Sequence, residues 1–435
     1  MTSRAELSSR GWVRLLALSR MAGVMAGRSA AGRYRMWRGA DPGRIREATS
    51  RANAATVRDT LGSLKGGAQK AGQLLSTIDS LLPAGDWREA MDGLQESGRP
   101  VDFSVLEPVL VAELGRSWRQ RFADFDDEPV ASASLGQVYR ARLPDGAAVA
   151  VKVQYPQVAA AVRADLTGLA WALRAASWVS PGMAAAPVAH ELRTRVEAEL
   201  DYLAEAGAQR RFAAAFADDE DFWVPPVVHA TRRVLVSSWC GGVPLSLVAE
   251  QGSDDERDLI GLRFQRFALC APARAGLLHA DPHPGNFRML DDRRLAVLDF
   301  GAHVPMPGGL PASFGHLISA MRADDPEQVR RGLESAGLVR PGARVDVAAL
   351  MDFLAPFSGP ARHEVFSFTP EWLAAQFARK HSPGNPDYAV ALQLTIPPEQ
   401  LMTHRVWLGV VGVLSRLRAT VPVLPELRRW LPGLE

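Results

Sequence analysis

Apolar positions Leu61, Leu64, Ala68, Ala71, Leu75, Ile78 and Leu82 recur at alternating steps of three and four, which predicts a helix over 54–82 with one apolar seam. Pro83 ends it. Gly62, Gly66, Gly67 and Gly72 lie inside, each costing ~1 kcal/mol relative to alanine. Close approach of another backbone or a ligand would account for them. Gly66, Lys70 and Gln73 share one side of this helix, beside the seam.

From residue 129 the period shortens. Leu135–Leu143, the turn Pro144–Asp145–Gly146 and Ala147–Tyr155 predict a hairpin. On its second strand Val149, Val151 and Val153 face one way, while Ala150 and Lys152 face the other. Helical periodicity returns over 157–176 and 188–215, where Glu197, Asp201 and Glu205 step by four and Glu199 falls roughly opposite. Taken alone, that is a solvated acidic stripe. A strand, Arg233–Ser238, runs into the hinge Trp239–Cys240–Gly241–Gly242. The remainder is largely helical, apart from a second hairpin within Phe287–Phe300 turning at Asp291–Asp292. The pattern predicts a strand-rich lobe followed by a helical one, an α+β chain. Its expected divisions are a basic helical segment over 1–50, a helical extension over 51–128, an N-lobe over 129–240 and a C-lobe over 241–435.

Composition narrows the class. The chain is 47% hydrophobic and 23% charged, which excludes disorder and collagen. Two cysteines cannot build a disulfide framework or a four-ligand zinc site, and they suit a reducing, cytoplasmic setting. A net charge of +2 argues against a globally cationic nucleic-acid binder. The charge is uneven, however: residues 1–51 carry 11 Arg against Glu6, Asp41 and Glu47. With Trp12, Leu15, Leu16, Met21, Val24 and Met25 among those arginines, this segment fits an anionic membrane surface or a helix packed on the body. No apolar run is long enough to span a bilayer, and no signal-peptide layout is present. The expectation is a soluble or peripheral protein. Against 46 Arg there are only four Lys, namely Lys65, Lys70, Lys152 and Lys380. A lysine kept against such a bias is a candidate for work that needs a compact ammonium.

The densest chemical signal is His279-Ala280-Asp281-Pro282-His283-Pro284-Gly285-Asn286, followed by Leu298-Asp299-Phe300-Gly301. Phosphoryl transfer needs a carboxylate to orient the nucleophile, and an amide plus a carboxylate to hold divalent metal on the phosphates. Asp281, Asn286 and Asp299 supply these groups, at offsets of five and thirteen. Val149-Ala150-Val151-Lys152 has the form of the strand whose lysine meets nucleotide phosphates in kinases. An isolated lysine on such a strand would point to water; the scarcity of lysine and the downstream triplet reverse that reading. The loop ahead of this hairpin is Pro129-Val130-Ala131-Ser132-Ala133-Ser134-Leu135-Gly136-Gln137, rich in alanine rather than glycine.

Together with Lys70-Ala71-Gly72-Gln73, these motifs resemble the UbiB/AarF family of atypical kinases, linked to ubiquinone biosynthesis. The resemblance is dense over about residues 56–301 and loose beyond. It implies a bilobal protein-kinase-like fold with an N-terminal helical extension carrying Lys70 and Gln73 over the active site. It further implies Glu199 and Asp201 as the family's Glu-x-Asp pair, Glu205 as the ion-pair partner of Lys152, and Asp281 as the catalytic-loop aspartate. His283 stands where conventional kinases have a catalytic-loop lysine. Asn286 and Asp299 match the metal ligands. Ala131, Ser132, Ala133, Ser134, Val138, Ala150, Lys152, Ser238 and Trp239 would line the nucleotide. Ser132 interrupts the alanine run, and Ser238 stands where the family hinge usually has an acidic residue. The implied cofactors are ATP and Mg²⁺ or Mn²⁺. The implied partners are an isoprenoid quinone precursor or other lipid and an anionic membrane surface. Two alternatives stand beside this reading: a small-molecule phosphotransferase of the aminoglycoside or choline-kinase type, and a nucleotide-sensing scaffold with little turnover.

Overall fold

The computed structural model describes residues 101–132, 135–156, 200–339, 346–381 and 398–434, with scattered positions between 20 and 56 and between 158 and 163. The chain divides into two compact units, residues 1–204 with 228–237, and residues 205–227 with 238–435.

In the first unit, helix α1 (Phe103–Leu114) starts where the Asp102 side chain accepts the Ser104 N–H, and stops at Gly115, whose φ of 91° no L side chain adopts comfortably. Strands β1 (Asp124–Ser132), β2 (Gly136–Arg142), β3 (Ala148–Gln154), β5 (Val227–Ala230) and β6 (Val234–Ser238) form one sheet in the order β1-β2-β3-β6-β5. The expected hairpin is β2–β3, with Val138 opposite Lys152 and Gly146 at φ 90° in its turn. β1 begins five residues earlier than the change of period suggests, and its pairing with β2 is irregular around Pro129, which has no N–H to give the ladder. One face of the sheet is apolar. Tyr139, Val149, Val151, Val153, Val234 and Val236 pack there with Leu106, Val109 and Leu110 of α1. Buried Gln137 exchanges two 3.3 Å hydrogen bonds with the Val101 backbone, which ties the chain entering α1 to β2.

Helix α2 (Tyr202–Ala215) begins later than the 188–215 periodicity predicts. Asp201 is not helical. Its carboxylate accepts the Leu203 N–H at 3.0 Å, as an N-terminal cap does, so the run of acidic residues does not continue as one helical face through it.

The second unit is organised on α4 (Asp254–Ala275), which follows α3 (Leu245–Gln251). A reciprocal Ser253–Glu256 capping box starts α4, and Gly276, at φ 64°, ends it. Around its buried residues Ile260, Phe264, Phe267, Cys270 and Ala271 pack the short strands β8 (Leu277–His279), β9 (Phe287–Met289), β10 (Leu295–Val297) and β11 (His303–Pro305). β9 and β10 are the second expected hairpin, shorter than its sequence signal. They join β4 (Phe222–Trp223) and β7 (Val243–Pro244) in a sheet ordered β4-β10-β9-β7, while β8 pairs with β11. Helices α5 (Ala312–Arg322), α6 (Pro326–Ser335) and α7 (Val347–Ser358) share a smaller core. After β12 (Phe366–Ser367) and α8 (Pro370–His381) come α9 (Pro398–Leu417), β13 (Thr420–Val421) and α10 (Val423–Trp430). Two contacts fix these last elements. A Cβ on Gly261 of α4 would stand 2.6 Å from that of Ala419, so only glycine admits this crossing. Arg266 of α4 donates to both oxygens of Glu426 at 2.7 and 3.0 Å and also bonds Asp221.

Candidate active site

The antiparallel pairing of β8 with β11 sets His303 opposite His279, and Ala280 donates to the Ala302 carbonyl. The intervening residues leave and return at one place, so the two predicted loops share an anchor. Inside it, a single 3₁₀ turn, Pro284–Asn286, precedes β9. The Leu298 N–H donates to the Asn286 carbonyl at 2.9 Å, which stitches the segment bearing Asp281 and Asn286 to the one bearing Asp299.

Asn286 donates from Nδ2 to Asp281 Oδ2 at 2.8 Å and to the Asp281 carbonyl at 3.2 Å. That bond fixes the amide, since only Nδ2 can serve a carboxylate as donor. Oδ1 of Asn286 is thereby turned away from Asp281, as a cation ligand would need. Asp299 Oδ1 accepts the Gly301 N–H at 2.9 Å, a local turn that orients the carboxylate. Two oxygen donors of this kind suit Mg²⁺, which keeps waters and substrate phosphates rather than demanding an all-protein cage. Among the described residues no group of three His, Cys, Asp or Glu side chains forms such a cage. His283 is exposed, and its Nδ1 accepts the Gly285 N–H at 3.1 Å.

Two residues beyond the Asp281–Asn286–Asp299 triplet hold these loops. His279 is 4% exposed, ringed by Phe212, Phe267, Phe287 and Phe300, with Nε2 2.5 Å from the Asp299 carbonyl. Burial pushes its pKa below the ordinary 6.5, and the carbonyl opposes that only in part. It is a neutral imidazole donating from Nε2, and it holds the backbone of Asp299. Arg405 of α9 pairs with Asp281 Oδ1 at 3.3 Å across 124 positions of sequence. Tyr202 lies in the first unit, its ring centroid 5.0 Å from Lys152 Nζ, a cation–π contact. His279 opens the motif and was legible as part of it. Arg405 is one arginine among 46 and carries no local signal.

In the first unit Lys152 is half-buried on β3, on the same side as half-buried Ala150, while Val149, Val151 and Val153 are buried; the period-two expectation fits. Val138 is half-buried, and Ala131 and Ser132 are exposed at the end of β1, paired with Val138 and Gln137. Gly136 has no room for a side chain, because a Cβ would collide with the Val153 carbonyl. In the second unit Glu205 is 3% exposed, which rules out a solvated position for it. The Ser238 N–H donates to the Pro226 carbonyl, and Trp239 is half-buried. Lys70, Gln73, Ala133, Ser134 and Glu199 lie outside the described residues, as does the helix predicted over 54–82 apart from Thr56. Both cysteines are buried, and burial pushes the Cys240 thiol up to about 11 and that of Cys270 up to about 12, so neither is a thiolate nucleophile.

The fold is α+β and protein-kinase-like, with the two predicted loops anchored at one strand pair. Residues 93–332 match the ABC1 atypical kinase-like domain, and the chain belongs to that family, as its UbiB/AarF motifs imply. It is 28% identical over 385 residues to the yeast (Saccharomyces cerevisiae) "Atypical kinase COQ8, mitochondrial", covering 86% of this chain and 75% of that protein. To the rat (Rattus norvegicus) "Atypical kinase COQ8B, mitochondrial" it is 34% identical over 255 residues, 58% of this chain and 48% of the relative, so it spans about half of that protein's length. Among solved structures it resembles Rv3197 from Mycobacterium tuberculosis, described in complex with erythromycin. That likeness has a TM-score of 0.68 and 38% identity, over 86% of this chain and 94% of that one.

Proposed function

We propose that the chain is an ATP- and Mg²⁺- or Mn²⁺-dependent atypical kinase or ATPase of the UbiB type, serving isoprenoid quinone or related lipid metabolism at a membrane surface. The observation that carries this is the Asp281–Asn286–Asp299 arrangement: one carboxylate held by an amide through its nitrogen, and a second carboxylate on a segment stitched to the same loop. When bound, the metal neutralises the phosphates. Asn286 and Asp299 would hold it, Asp281 would orient the accepting hydroxyl or water, and Lys152 would serve the phosphates as a point charge. Glu205 and His283, with Lys70, Gln73 and Glu199, complete the proposed catalytic set.

The membrane part of the proposal draws support from the described portion of the basic head. Its described residues between 20 and 37 are helical, and Arg33, Tyr34, Arg35 and Trp37 are exposed, Trp37 by 82%. Exposed aromatics among arginines suit an anionic interface. No helix among the described residues is long and apolar enough to cross a membrane. The test is nucleotide turnover by the full chain with and without anionic vesicles, scored for ADP release and labelled lipid. Metal-dependent ADP release supports the reading, and labelled lipid names the acceptor. Absence of both with intact Mg·ATP binding leaves the scaffold alternative. A second reading, macrolide binding, is favoured by the erythromycin complex of the 38% identical Rv3197. Adding erythromycin to the same binding assay tests it.

A further inference from the structure

Helix α9 reaches the candidate catalytic loop at two points four residues apart on one helical side. At the first, Arg405, with 14% of its side chain exposed, takes Oδ1 of Asp281, whose other oxygen is held by Asn286. An aspartate carboxylate otherwise turns in a broad two-fold well. Donors on both oxygens from different elements fix its plane. At the second, a Cβ on Gly409 would stand 2.3 Å from Pro282 Cγ, so the α9 backbone lies directly against the residue after Asp281. The helix is itself held, with Met402, Val406, Val410, Val413 and Leu414 buried in the unit's core.

We propose that α9 is a clamp on the catalytic loop, with Arg405 the positioning residue that sets the Asp281 carboxylate and Gly409 the contact that seats the loop. The proposal rests on the phosphotransferase reading for its consequence in turnover, but not for the clamp itself. A guanidinium at this position can serve one carboxylate oxygen while its plane packs along the loop; an ammonium lacks that fork. The helix lies 117 or more residues beyond Asp281, outside the motifs that define the site.

The test uses the full chain with Arg405→Ala, Arg405→Lys, Gly409→Ala and the double variant Gly409→Ala/Pro282→Ala. Arg405→Ala is expected to lower kcat at least tenfold while changing the Mg·ATP affinity less than threefold, and Arg405→Lys to recover part of the loss. Millimolar guanidinium should restore turnover to Arg405→Ala, whereas sodium chloride at equal ionic strength should not. Gly409→Ala should lose turnover, and removing the Pro282 ring should return part of it. Independently of activity, amide hydrogen exchange over 280–286 should quicken in Arg405→Ala and Gly409→Ala. Unchanged exchange there overturns the clamp. Accelerated exchange with wild-type kcat overturns the positioning role of Arg405. A wild-type protein without metal-dependent turnover, but with faster exchange in the variants, overturns the phosphotransferase reading and leaves the clamp standing.

Discussion

Replacing Asn286 with aspartate changes one atom group and inverts the local electrostatics. Nδ2 now donates to Asp281 Oδ2 at 2.8 Å; in Asn286→Asp an oxygen stands there instead. The lost hydrogen bond to a charged acceptor is worth about 1.5–3 kcal/mol. Two carboxylates held at that distance would repel by about 6 kcal/mol at an effective dielectric of 20, a ceiling that small movement and solvent reduce. Asp281 is 27% exposed, so the reduction is substantial. A net loss of about 2–4 kcal/mol at pH 8 follows, and a fall in Tm on the order of 5–15 °C. The pair would relieve itself by holding one proton, so one carboxyl has a folded pKa above its unfolded value of about 4. The folded variant then binds more protons than the unfolded chain. Its deficit is therefore largest at high pH and shrinks on acidification towards pH 5. Mg²⁺ should shrink it too, by adding positive charge near the pair. The assay is thermal unfolding of both proteins in chelator at pH 8, 6.5 and 5, repeated with Mg²⁺. A variant as stable as wild type at pH 8, or a deficit that widens in acid, would refute the Asn286–Asp281 contact as described.

Two further outcomes follow from buried or half-buried groups. His279 has its pKa depressed below 6.5 by burial, so stability is present above that pH and is lost below it, by up to about 1.4 kcal/mol per pH unit; this slope should be missing from His279→Asn, so the difference between wild-type and variant melting profiles should change from pH 7.5 to 5.5, and parallel profiles would contradict a buried neutral imidazole. Lys152→Arg should lose at least tenfold in Mg·ATP turnover, because a longer planar fork does not fit a point-charge position over Tyr202; wild-type turnover would return Lys152 to an ordinary surface role.

The hairpin signals were legible because period two and turn chemistry act locally. Val149, Val151 and Val153 are buried and Lys152 is not, as alternation alone requires. The early start of β1 was not legible, since Asp124, Asp126, Asp127 and Glu128 do not look like strand residues, and pairing with β2 overrides their propensity. Helix α2 starts only after Asp201, whose carboxylate caps it, a competition that periodicity cannot weigh. The spacing of Asp281, Asn286 and Asp299 carried the site, because one short loop and one hairpin bring them together. Arg405 and Gly409 reach the same loop through tertiary packing across more than a hundred residues, and nothing in their neighbourhood announces it.

Asp299 decides the central claim most directly. In a thermal-shift titration with ATP, wild-type protein should gain stability only when Mg²⁺ or Mn²⁺ is present. Asp299→Asn keeps an oxygen that can accept the Gly301 N–H, so the turn survives while the metal-binding charge is removed. That variant should melt near wild type without ligand and lose the metal-dependent shift. An undiminished Mg·ATP shift in Asp299→Asn would contradict the site.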